Sequence, residues 1–450
     1  MAGTSRHVRL NSKVQQQVKG IESAFADLTK PIVIRSEPAK DRSGGISFMY
    51  PADPATILVR DDYLNQVRGV LLGLGITISD KKPIIADVVR LTLDIPAAPA
   101  QGDPLFGQTA PLICALDQVD QELGEGIATP DHVLTVCDGI VSPCPATEPR
   151  TVDDGIEPHP GICTVNSGAG VLIYIADTGL LKGADSAHSW LRGVERARDA
   201  SGNWQPWDWD PGAGPDDDQQ RAIPTPYVGH GTFVAGVVRC MAPQADVIVS
   251  NVFKVAGSTL ESDFVLDLKQ ALGLGVDIFH LSIAAPTRKD LPLLAFDRWL
   301  ALVRQYKGTV CVAAAGNSGV RSPTWPSVFP QTVSVGALTA DGRDRADFSN
   351  YGGWVDVYAP GRDIINAYAT GTYKYQDEPY KGSPDGKFYG MARWSGTSFS
   401  TPIVTGLIAA RMSRTGENGV EAAAALLRKA RAQAIPGVGA ILLPCDGTGS

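Results

Sequence analysis

Apolar and polar positions alternate in two different ways along this chain, and the pattern changes near residue 167. After that point, short continuous apolar runs alternate with segments in which apolar residues recur at helical spacing. These patterns predict strands at 171–176, 246–254, 276–283, 309–315 and 333–337, and helices at 231–240, 260–272 and 293–306. Alternating strands and helices favour an α/β fold with a mostly parallel sheet and helices on both faces.

The part before residue 138 has a pattern of its own. Residues 1–50 are polar and weakly patterned, and a compact pattern begins after Tyr50-Pro51. It predicts a strand, a helix, two strands, a helix and a last strand at 56–59, 61–74, 76–79, 84–93, 110–123 and 132–136, with Gly75 ending the first helix. That order is typical of a small α+β domain of the split βαβ, or ferredoxin-like, kind.

A segment rich in Pro, Gly and acidic residues separates the two patterns. We expect it to be an exposed linker and a site of cleavage. The predicted organisation is an amino-terminal arm, an α+β domain, a linker and a larger α/β domain, at 1–50, 51–137, 138–166 and 167–445.

Composition narrows the function. Of the 450 residues 44% are apolar, which is enough to bury a large core, and the net charge of −8 argues against nucleic-acid binding. We find no apolar stretch long enough to span a membrane. The first residues lack the apolar core of a signal peptide, so we expect a cytoplasmic protein, or a secreted one if a leader has been removed. Seven cysteines leave at least one thiol without a disulfide partner in the same chain.

Three short segments carry the candidate chemistry. Asp177 ends the apolar run of YIADTG, His230 stands at a predicted helix start in GHGT, and Ser398 lies in GTSFSTP. A serine nucleophile needs a base that takes its proton and an anion that orients and stabilises that base. Each segment alone also fits a structural role: a strand entering a turn, a helix-capping histidine, and a helix start with Pro402 in the first turn.

A fourth segment, AAAGNSG, follows the predicted strand at 309–315 and exposes the amide of Asn317. Acyl transfer requires hydrogen-bond donors that point at the oxyanion of the tetrahedral intermediate. The Asn317 side chain and the backbone N–H of Ser398 are the candidate donors. Taken alone, Asn317 would instead be interpreted as a turn residue.

These four segments, in the order Asp, His, Asn, Ser, resemble the subtilisin-type serine peptidases, the subtilase family, over about residues 168–415. The resemblance implies a serine endopeptidase that acts on peptide or protein substrates through an acyl-enzyme. Asp177, His230 and Ser398 would be its catalytic triad, and Asn317 would contribute to its oxyanion hole. No cofactor would be required. Calcium is often bound in this family, and the carboxylates at 207–218 suit it, although their spacing matches no defined calcium loop and a solvated acidic loop explains them better.

The resemblance also locates substrate recognition. Residues 254–260 and 281–285 would flank an extended substrate by strand pairing. The pocket for the residue before the scissile bond would be lined by Ser282, Ile283, Ala284, Ala314 and Gly316. The family usually has Ser-Leu-Gly where this chain has SIAAP, so the added methyl groups should narrow the pocket. No acidic residue in these walls supports a strict preference for Arg or Lys.

Subtilases are commonly made with an amino-terminal propeptide of split βαβ topology. The resemblance therefore implies that 51–137 is an intramolecular inhibitor and folding aid, and that the chain after Val136 runs toward the cleft. Three alternatives stay open at this point. They are an adaptor domain that recruits substrate, a catalytically silent binding protein, and a sedolisin-like peptidase, which would carry Glu in place of His230. A serine hydrolase of another fold is disfavoured because its serine precedes its acid and histidine.

Overall fold

A computed structural model describes residues 12–38, 47–96, 110–136, 146–163, 167–210, 222–223, 225, 227–306, 308–376 and 380–444. We refer to residues 12–136 as the amino-terminal unit and to residues 146–444 as the carboxyl-terminal unit. Among the residues described, no helix is both long enough and apolar enough to cross a bilayer.

The amino-terminal unit contains a six-stranded antiparallel sheet with three helices. The strands of this sheet are β1 (Val33–Pro38), β2 (Ser47–Asp53), β3 (Ala55–Arg60), β4 (Thr77–Ile85), β5 (Val88–Asp94) and β6 (Ala128–Pro130). The helices are α1 (Ser12–Ala26), α2 (Leu64–Gly73) and α3 (Pro111–Leu123), and a 3₁₀ turn covers Asp61–Tyr63. Strand order is β1-β2-β3-β5-β4, and β6 also pairs with β3, at Ile57–Val59, beyond the single residue of β3 that pairs with β2. A seventh strand, β7 (Val133–Thr135), is not part of this sheet.

Helix α1 and strands β1 and β2 lie in the region that the sequence pattern left unassigned. Ile21 and Phe25, four residues apart on α1, are buried against Ile34 and Met49 of the two strands. Strand β2 also crosses the predicted boundary at residue 50. The helix was missed because only two of its described side chains are buried, which is too few to give a clear helical period.

The carboxyl-terminal unit contains a seven-stranded sheet in which every pair is parallel. Its strands are β8 (Leu172–Asp177), β9 (Glu195–Arg196), β10 (Asp246–Asn251), β12 (Ile278–Leu281), β13 (Val310–Ala314), β14 (Thr332–Leu338) and β15 (Val357–Pro360). Outside this sheet, β11 (Ser258–Leu260) pairs with β7, and β16 (Ile364–Tyr373) forms an antiparallel hairpin with β17 (Gly386–Trp394).

Helices cover both faces of the parallel sheet. They are α4 (Ala184–Ala187), α5 (His230–Met241), α6 (Glu261–Leu272), α7 (Leu294–Val303), α8 (Thr397–Thr415) and α9 (Gly419–Ala432), with 3₁₀ turns at Ser189–Leu191 and Arg288–Asp290. On β12, Phe279 packs against Trp299 of α7, and the next residue, His280, bonds to Thr405 of α8. Since successive side chains of a strand point to opposite faces, α7 and α8 lie on opposite sides of the sheet. The predicted α/β architecture is confirmed.

The sheet of the amino-terminal unit packs on α6 and α7 of the carboxyl-terminal unit. Asp131 crosses the junction and accepts hydrogen bonds from the Ser262 N–H (3.0 Å) and hydroxyl (2.7 Å), so it caps the start of α6. The Arg288 guanidinium, also buried at the junction, bonds to Asp117 and to Asp120 of α3. These are buried polar contacts that each unit would lack alone.

The strand predicted at 132–136 is present as β7, one residue shorter at each end, but it does not join the sheet of the amino-terminal unit. The chain forms two short strands here, and only β6 completes the sheet of the amino-terminal unit. Strand β7 leaves that unit and pairs antiparallel with β11, so that Val133 lies opposite Leu260 and Thr135 opposite Ser258. Apolar alternation identified the strand correctly, but it carries no information about which sheet the strand joins.

The described part of the predicted linker, 146–163, contains both buried and exposed residues. Glu148 is buried and accepts a hydrogen bond from the Tyr373 hydroxyl (2.6 Å). Arg150 and His159 form isolated bridges to the β16–β17 hairpin. This stretch therefore packs on the rest of the carboxyl-terminal unit. Residues 137–145 and 164–166 lie outside the described residues.

Candidate active site

Asp177 lies where the strand order of the parallel sheet reverses. It ends β8, and β8 has β10 on one side and β12, which follows β10 in the chain, on the other. Loops that leave the carboxyl ends of two such strands diverge and form a crevice, which is where open α/β sheets bind ligands. The Asp177 side chain is fully buried in this crevice, and its Oδ1 accepts a hydrogen bond from the Thr178 N–H (2.7 Å).

His230, the first residue of α5, lies directly against Asp177. Its Nδ1 is 2.7 Å from Asp177 Oδ1, and neither side chain is exposed. Gly231 makes this approach feasible, because a Cβ at that position would lie 2.4 Å from the carbonyl oxygen of Gly179. The other ring nitrogen of His230, Nε2, is buried and has no hydrogen-bond partner among the described residues.

Asp208 joins the two loops that carry this pair. Its Oδ2 accepts hydrogen bonds from the Gly229 N–H (2.6 Å) and from the Thr178 hydroxyl (2.9 Å), and the Gly231 N–H donates to Thr178 Oγ1 (3.1 Å). Burial raises the pKa of Asp208 to about 8, and the hydrogen bonds from Gly229 and Thr178 oppose that shift. No sequence signal pointed to this role, since Asp208 stands in an acidic stretch without a defined motif.

The candidate calcium segment at 207–218 is described only as far as residue 210. The Asp208 carboxylate accepts the hydrogen bonds from Gly229 and Thr178. Asp210 forms an ion pair with Lys182 (2.8 Å). Within the described ranges, no three His, Cys, Asp or Glu residues are arranged to hold a metal ion. The carboxylates of Asp216, Asp217 and Asp218 lie outside the described residues, so calcium binding stays a prediction.

Ser398 is the second residue of α8, and it faces the chain of the amino-terminal unit. Its Oγ donates to the carbonyl oxygen of Val136 over 3.4 Å, and the residue is 1% exposed. The aromatic ring of Phe399 lies 5.5 Å from the imidazole of His230, so the helix start and the His–Asp pair are neighbours. The contacts of the described residues include no hydrogen bond between Ser398 and His230.

Asn317 lies beside the start of α8, after β13. Its Oδ1 accepts hydrogen bonds from the backbone N–H (2.8 Å) and from the hydroxyl (3.0 Å) of Thr397. Because the amide oxygen of Asn317 accepts both bonds from Thr397, the NH₂ group of Asn317 is left as a donor. The structure thus brings Asn317 to the residue that precedes Ser398.

The five residues expected to line the substrate pocket are all buried and stand in two adjacent segments, after β12 and at the end of β13. Ser282 has a defined partner: its hydroxyl donates to the carbonyl oxygen of Ser398 (3.0 Å). Behind it, His280 Nε2 lies 2.8 Å from Ser282 Oγ. The sequence analysis did not identify His280, whose position inside an apolar strand resembles that of an ordinary core residue.

Residues 132–136 lie between the two segments that were expected to flank a substrate. On one side β7 pairs with β11, and the Val136 N–H donates to the Gly257 carbonyl (3.0 Å). On the other side Thr135 forms an antiparallel bridge with Ala284. Gly257 has φ of +65°, and a Cβ there would lie 2.9 Å from Val136 Cγ2, so glycine permits this close approach. An extended segment of the chain therefore leads to Ser398.

Comparison with known proteins shows the family of the carboxyl-terminal unit. The model of the subtilase family, Peptidase_S8, matches residues 168–440. A thermophilic serine proteinase of Bacillus sp. (strain AK1) is 32% identical over 204 residues, which are 43% of this chain and 44% of that protein. An intracellular serine protease of Paenibacillus polymyxa is 29% identical over 264 residues, which are 56% of this chain and 69% of that protein.

Among solved structures, a cold adapted subtilisin-like serine proteinase matches with a TM-score of 0.47 and 22% identity, over 66% of this chain and 96% of that chain. The chain spans less than half the length of the Bacillus relative. The family model itself covers more than half of the 450 residues. The chain therefore belongs to the subtilase family.

Proposed function

We propose that this protein is a serine endopeptidase that hydrolyses peptide bonds of peptides or proteins through an acyl-enzyme. One observation carries the proposal: a serine hydroxyl, a buried imidazole–carboxylate pair and a peptide carbonyl meet at one edge of the parallel sheet. Ser398 would be the nucleophile, His230 its general base, and Asp177 the anion that holds the Nδ1–H of His230. The buried and unpartnered Nε2 of His230 is the atom left to take the proton.

In the proposed reaction, Ser398 Oγ attacks the substrate carbonyl carbon while its proton passes to His230 Nε2. The oxyanion that forms accepts hydrogen bonds from the Asn317 NH₂ and the Ser398 backbone N–H. His230 then returns the proton to the leaving amine, and the C–N bond breaks. Water then attacks the acyl-enzyme ester while His230 takes a proton from the water. The bond between the acyl group and Ser398 Oγ breaks, His230 returns the proton to Ser398, and the carboxylic acid is released.

In the proposed reaction the Ser398 hydroxyl would have to change its hydrogen-bond partner. Its hydroxyl now donates to the carbonyl oxygen of Val136 (3.4 Å) instead of to His230. Rotation about the Cα–Cβ bond would exchange this partner for His230 Nε2, since catalytic hydrogen bonds often tighten only when a substrate is in reactive position. The described arrangement is thus a resting one.

We propose further that residues 51–137 form a propeptide-like inhibitory domain of split βαβ topology, ahead of a linker at 138–166 and a peptidase domain at 167–445. The pairing of β3 with both β5 and β6, and of β5 with β4, supports that topology. The position of β7 between 258–260 and Ala284 supports inhibition, because a tethered segment in the cleft competes at high effective concentration.

The occupied cleft also suggests which substrates fit. Val136 takes the place of the residue before the scissile bond, and it is almost fully buried. A β-branched apolar side chain would suit the proposed pocket, whose walls include Ile283, Ala284 and Ala314. We therefore propose a preference for small or medium apolar residues at this position.

Labelling with a fluorophosphonate tests the peptidase proposal. The full chain and its Ser398→Ala variant are incubated with the probe, before and after any self-cleavage, and the labelled peptide is identified by mass spectrometry. We expect the label on Ser398 alone, and a loss of turnover in the variant of about 10⁶, the magnitude known for the serine of subtilisin. A folded full chain that neither cleaves itself nor takes the label would be a catalytically silent member of the family.

A further inference from the structure

Helix α8 contains a proline that removes a hydrogen bond from the residue proposed as the nucleophile. In an α-helix the carbonyl of residue i accepts from the N–H of residue i+4. For Ser398 that residue is Pro402, which lies in the second turn of α8 and has no N–H. The sequence analysis had placed Pro402 in the first turn, where a missing N–H costs nothing. Its actual position deprives the Ser398 carbonyl of its helical donor.

Ser282 supplies the missing donor from the segment that follows β12. Its hydroxyl donates to the Ser398 carbonyl over 3.0 Å, and both residues are buried. Because almost no surface of either residue reaches solvent, the contact does not depend on bulk water. A buried carbonyl without a donor is costly, so this bond has a definite structural value.

His280 fixes the direction of the Ser282 hydroxyl. Since Ser282 donates its only proton to Ser398, its oxygen must accept from His280 Nε2, which lies 2.8 Å away. The other nitrogen, Nδ1, then accepts from the Thr405 hydroxyl at 2.9 Å. Burial lowers the pKa of His280 to about 3, and the nearby His230 contributes to that shift, so the imidazole stays neutral and has a single N–H.

We propose that His280 and Ser282 are positioning residues that replace the hydrogen bond Pro402 cannot make and thereby hold the backbone of Ser398 in its reactive place. The inference rests on the proposed role of Ser398. Ser398 contributes from both of its backbone groups, because its N–H, in the preceding peptide unit, is the second proposed oxyanion donor. Thr405 belongs to α8 as well, so the imidazole joins the helix to β12 at two points.

Restoring the helical donor tests the idea directly. Ser282→Ala removes the hydroxyl, and Pro402→Ala supplies an N–H to the same carbonyl. We expect Ser282→Ala to lower the rate of reaction with a fluorophosphonate about tenfold, which corresponds to one buried hydrogen bond. The double variant should recover most of that loss. His280→Leu should also lower the rate, and should cause no further loss in the Ser282→Ala background. Ser334→Ala, a buried serine of β14, is the matched control and should react like the parent.

A second readout does not depend on activity. Labelling serine with ¹³C at the carbonyl and phenylalanine with ¹⁵N gives two signals, from Ser47-Phe48 and Ser398-Phe399. The Ser398 carbonyl shift should move in Ser282→Ala and return in the double variant, while the Ser47 signal stays in place. If the parent reacts and Ser282→Ala changes neither rate nor shift, or if Pro402→Ala restores neither, the positioning role is wrong. If the parent is inert toward the probe while the shifts behave as expected, the hydrogen bond stands and the peptidase proposal fails.

Discussion

The carbonyl oxygen of Val136 lies 3.4 Å from the hydroxyl oxygen of Ser398, although the two residues are 262 positions apart in the chain. Val136 is held there by its N–H bond to Gly257 and by strand β7, which pairs with β11. The chain thus presents one of its own peptide bonds to the residue proposed as the nucleophile. The predictions below follow from this contact and from the junction that maintains it.

Self-cleavage is expected between Val136 and Cys137, just before the predicted linker at 138–166. The Val136 carbonyl is the one beside Ser398, so the new amino terminus should be Cys137. Mass spectrometry of the purified full chain, with amino-terminal sequencing of the larger fragment, gives the position. Ser398→Ala should stay intact.

The burial of Val136 gives a control for that cleavage. Val136→Lys would bring a charge into an almost fully buried position, so it should slow self-cleavage at least about tenfold. Asn65→Lys adds the same charge at an exposed position of α2 and should leave the rate unchanged. Cleavage at another bond in the parent, at an undiminished rate in Val136→Lys, would contradict the assignment.

Asn317→Ala should lower turnover by about 10²–10³ with little change in KM, as for the corresponding donor of subtilisin. The donor acts on charge that appears only in the transition state, so substrate binding is spared. Steady-state kinetics on a peptide substrate separates the two parameters. A variant that changes KM alone would place Asn317 in substrate binding and not in the oxyanion hole.

Arg288→Met should loosen the amino-terminal unit. The buried Arg288 pairs with Asp117 and Asp120, and removing one partner of a buried charge pair typically costs about 2–5 kcal/mol. Opening of segment 128–136 should therefore become at least about 30-fold more favourable. Hydrogen exchange of that segment, measured by mass spectrometry in the uncleaved Ser398→Ala chain, reports the change.

The matched control for Arg288 is Lys81→Met. Lys81 and Asp61 form an ion pair at 3.2 Å within the amino-terminal unit, and their side chains are 44% and 51% exposed. An ion pair that is this exposed contributes little to the free energy of unfolding. Exchange in 128–136 should not change in this variant, and equal effects of the two substitutions would argue against a role of the junction.

The junction should lose stability as pH rises from about 6.5 to 9. Burial raises the pKa of Asp131 to about 7 and that of Glu261 to about 8, and hydrogen bonds from Ser262 to Asp131 and from the start of α7 to Glu261 offset part of each shift. A carboxyl group whose pKa is raised in the folded state stabilises at low pH, and this contribution disappears as pH passes the folded pKa. Burial lowers the pKa of His132 to about 3, so His132 destabilises only below about pH 6.5, outside this window.

Asp131→Asn isolates one of these groups, because the amide keeps an acceptor for Ser262 and does not titrate. In the Ser398→Ala background, we expect the parent to lose about 1 kcal/mol more unfolding free energy than Asp131→Asn between pH 6.5 and 9. Denaturant unfolding at several pH values measures the difference. The buried Asp208 titrates in both proteins, so only the difference between their unfolding free energies is informative. If the unfolding free energies of both proteins changed equally with pH, the prediction would be contradicted.

Local pattern alone determined much of the carboxyl-terminal unit. A continuous apolar run predicted β8 with Asp177 at its end, and the helix expected at 260–272 is α6, Glu261–Leu272. The short motifs identified Asp177, His230, Asn317 and Ser398, and the structure gathers them around the start of α8. These features could be predicted because they depend on residues that are close together in the sequence. This holds for the periodicity of strands and helices and for the residues at which these elements end.

Tertiary structure alone decided which distant groups meet. It sends β7 out of its own domain to pair with β11, and it uses Asp208 to join the loops of Asp177 and His230. It also directs the hydroxyl of Ser282, expected only as part of a pocket wall, to the carbonyl that Pro402 leaves without a donor. Each of these contacts satisfies a polar group between segments far apart in the chain. Periodicity shows that such a group is buried, but only the packed fold determines its partner.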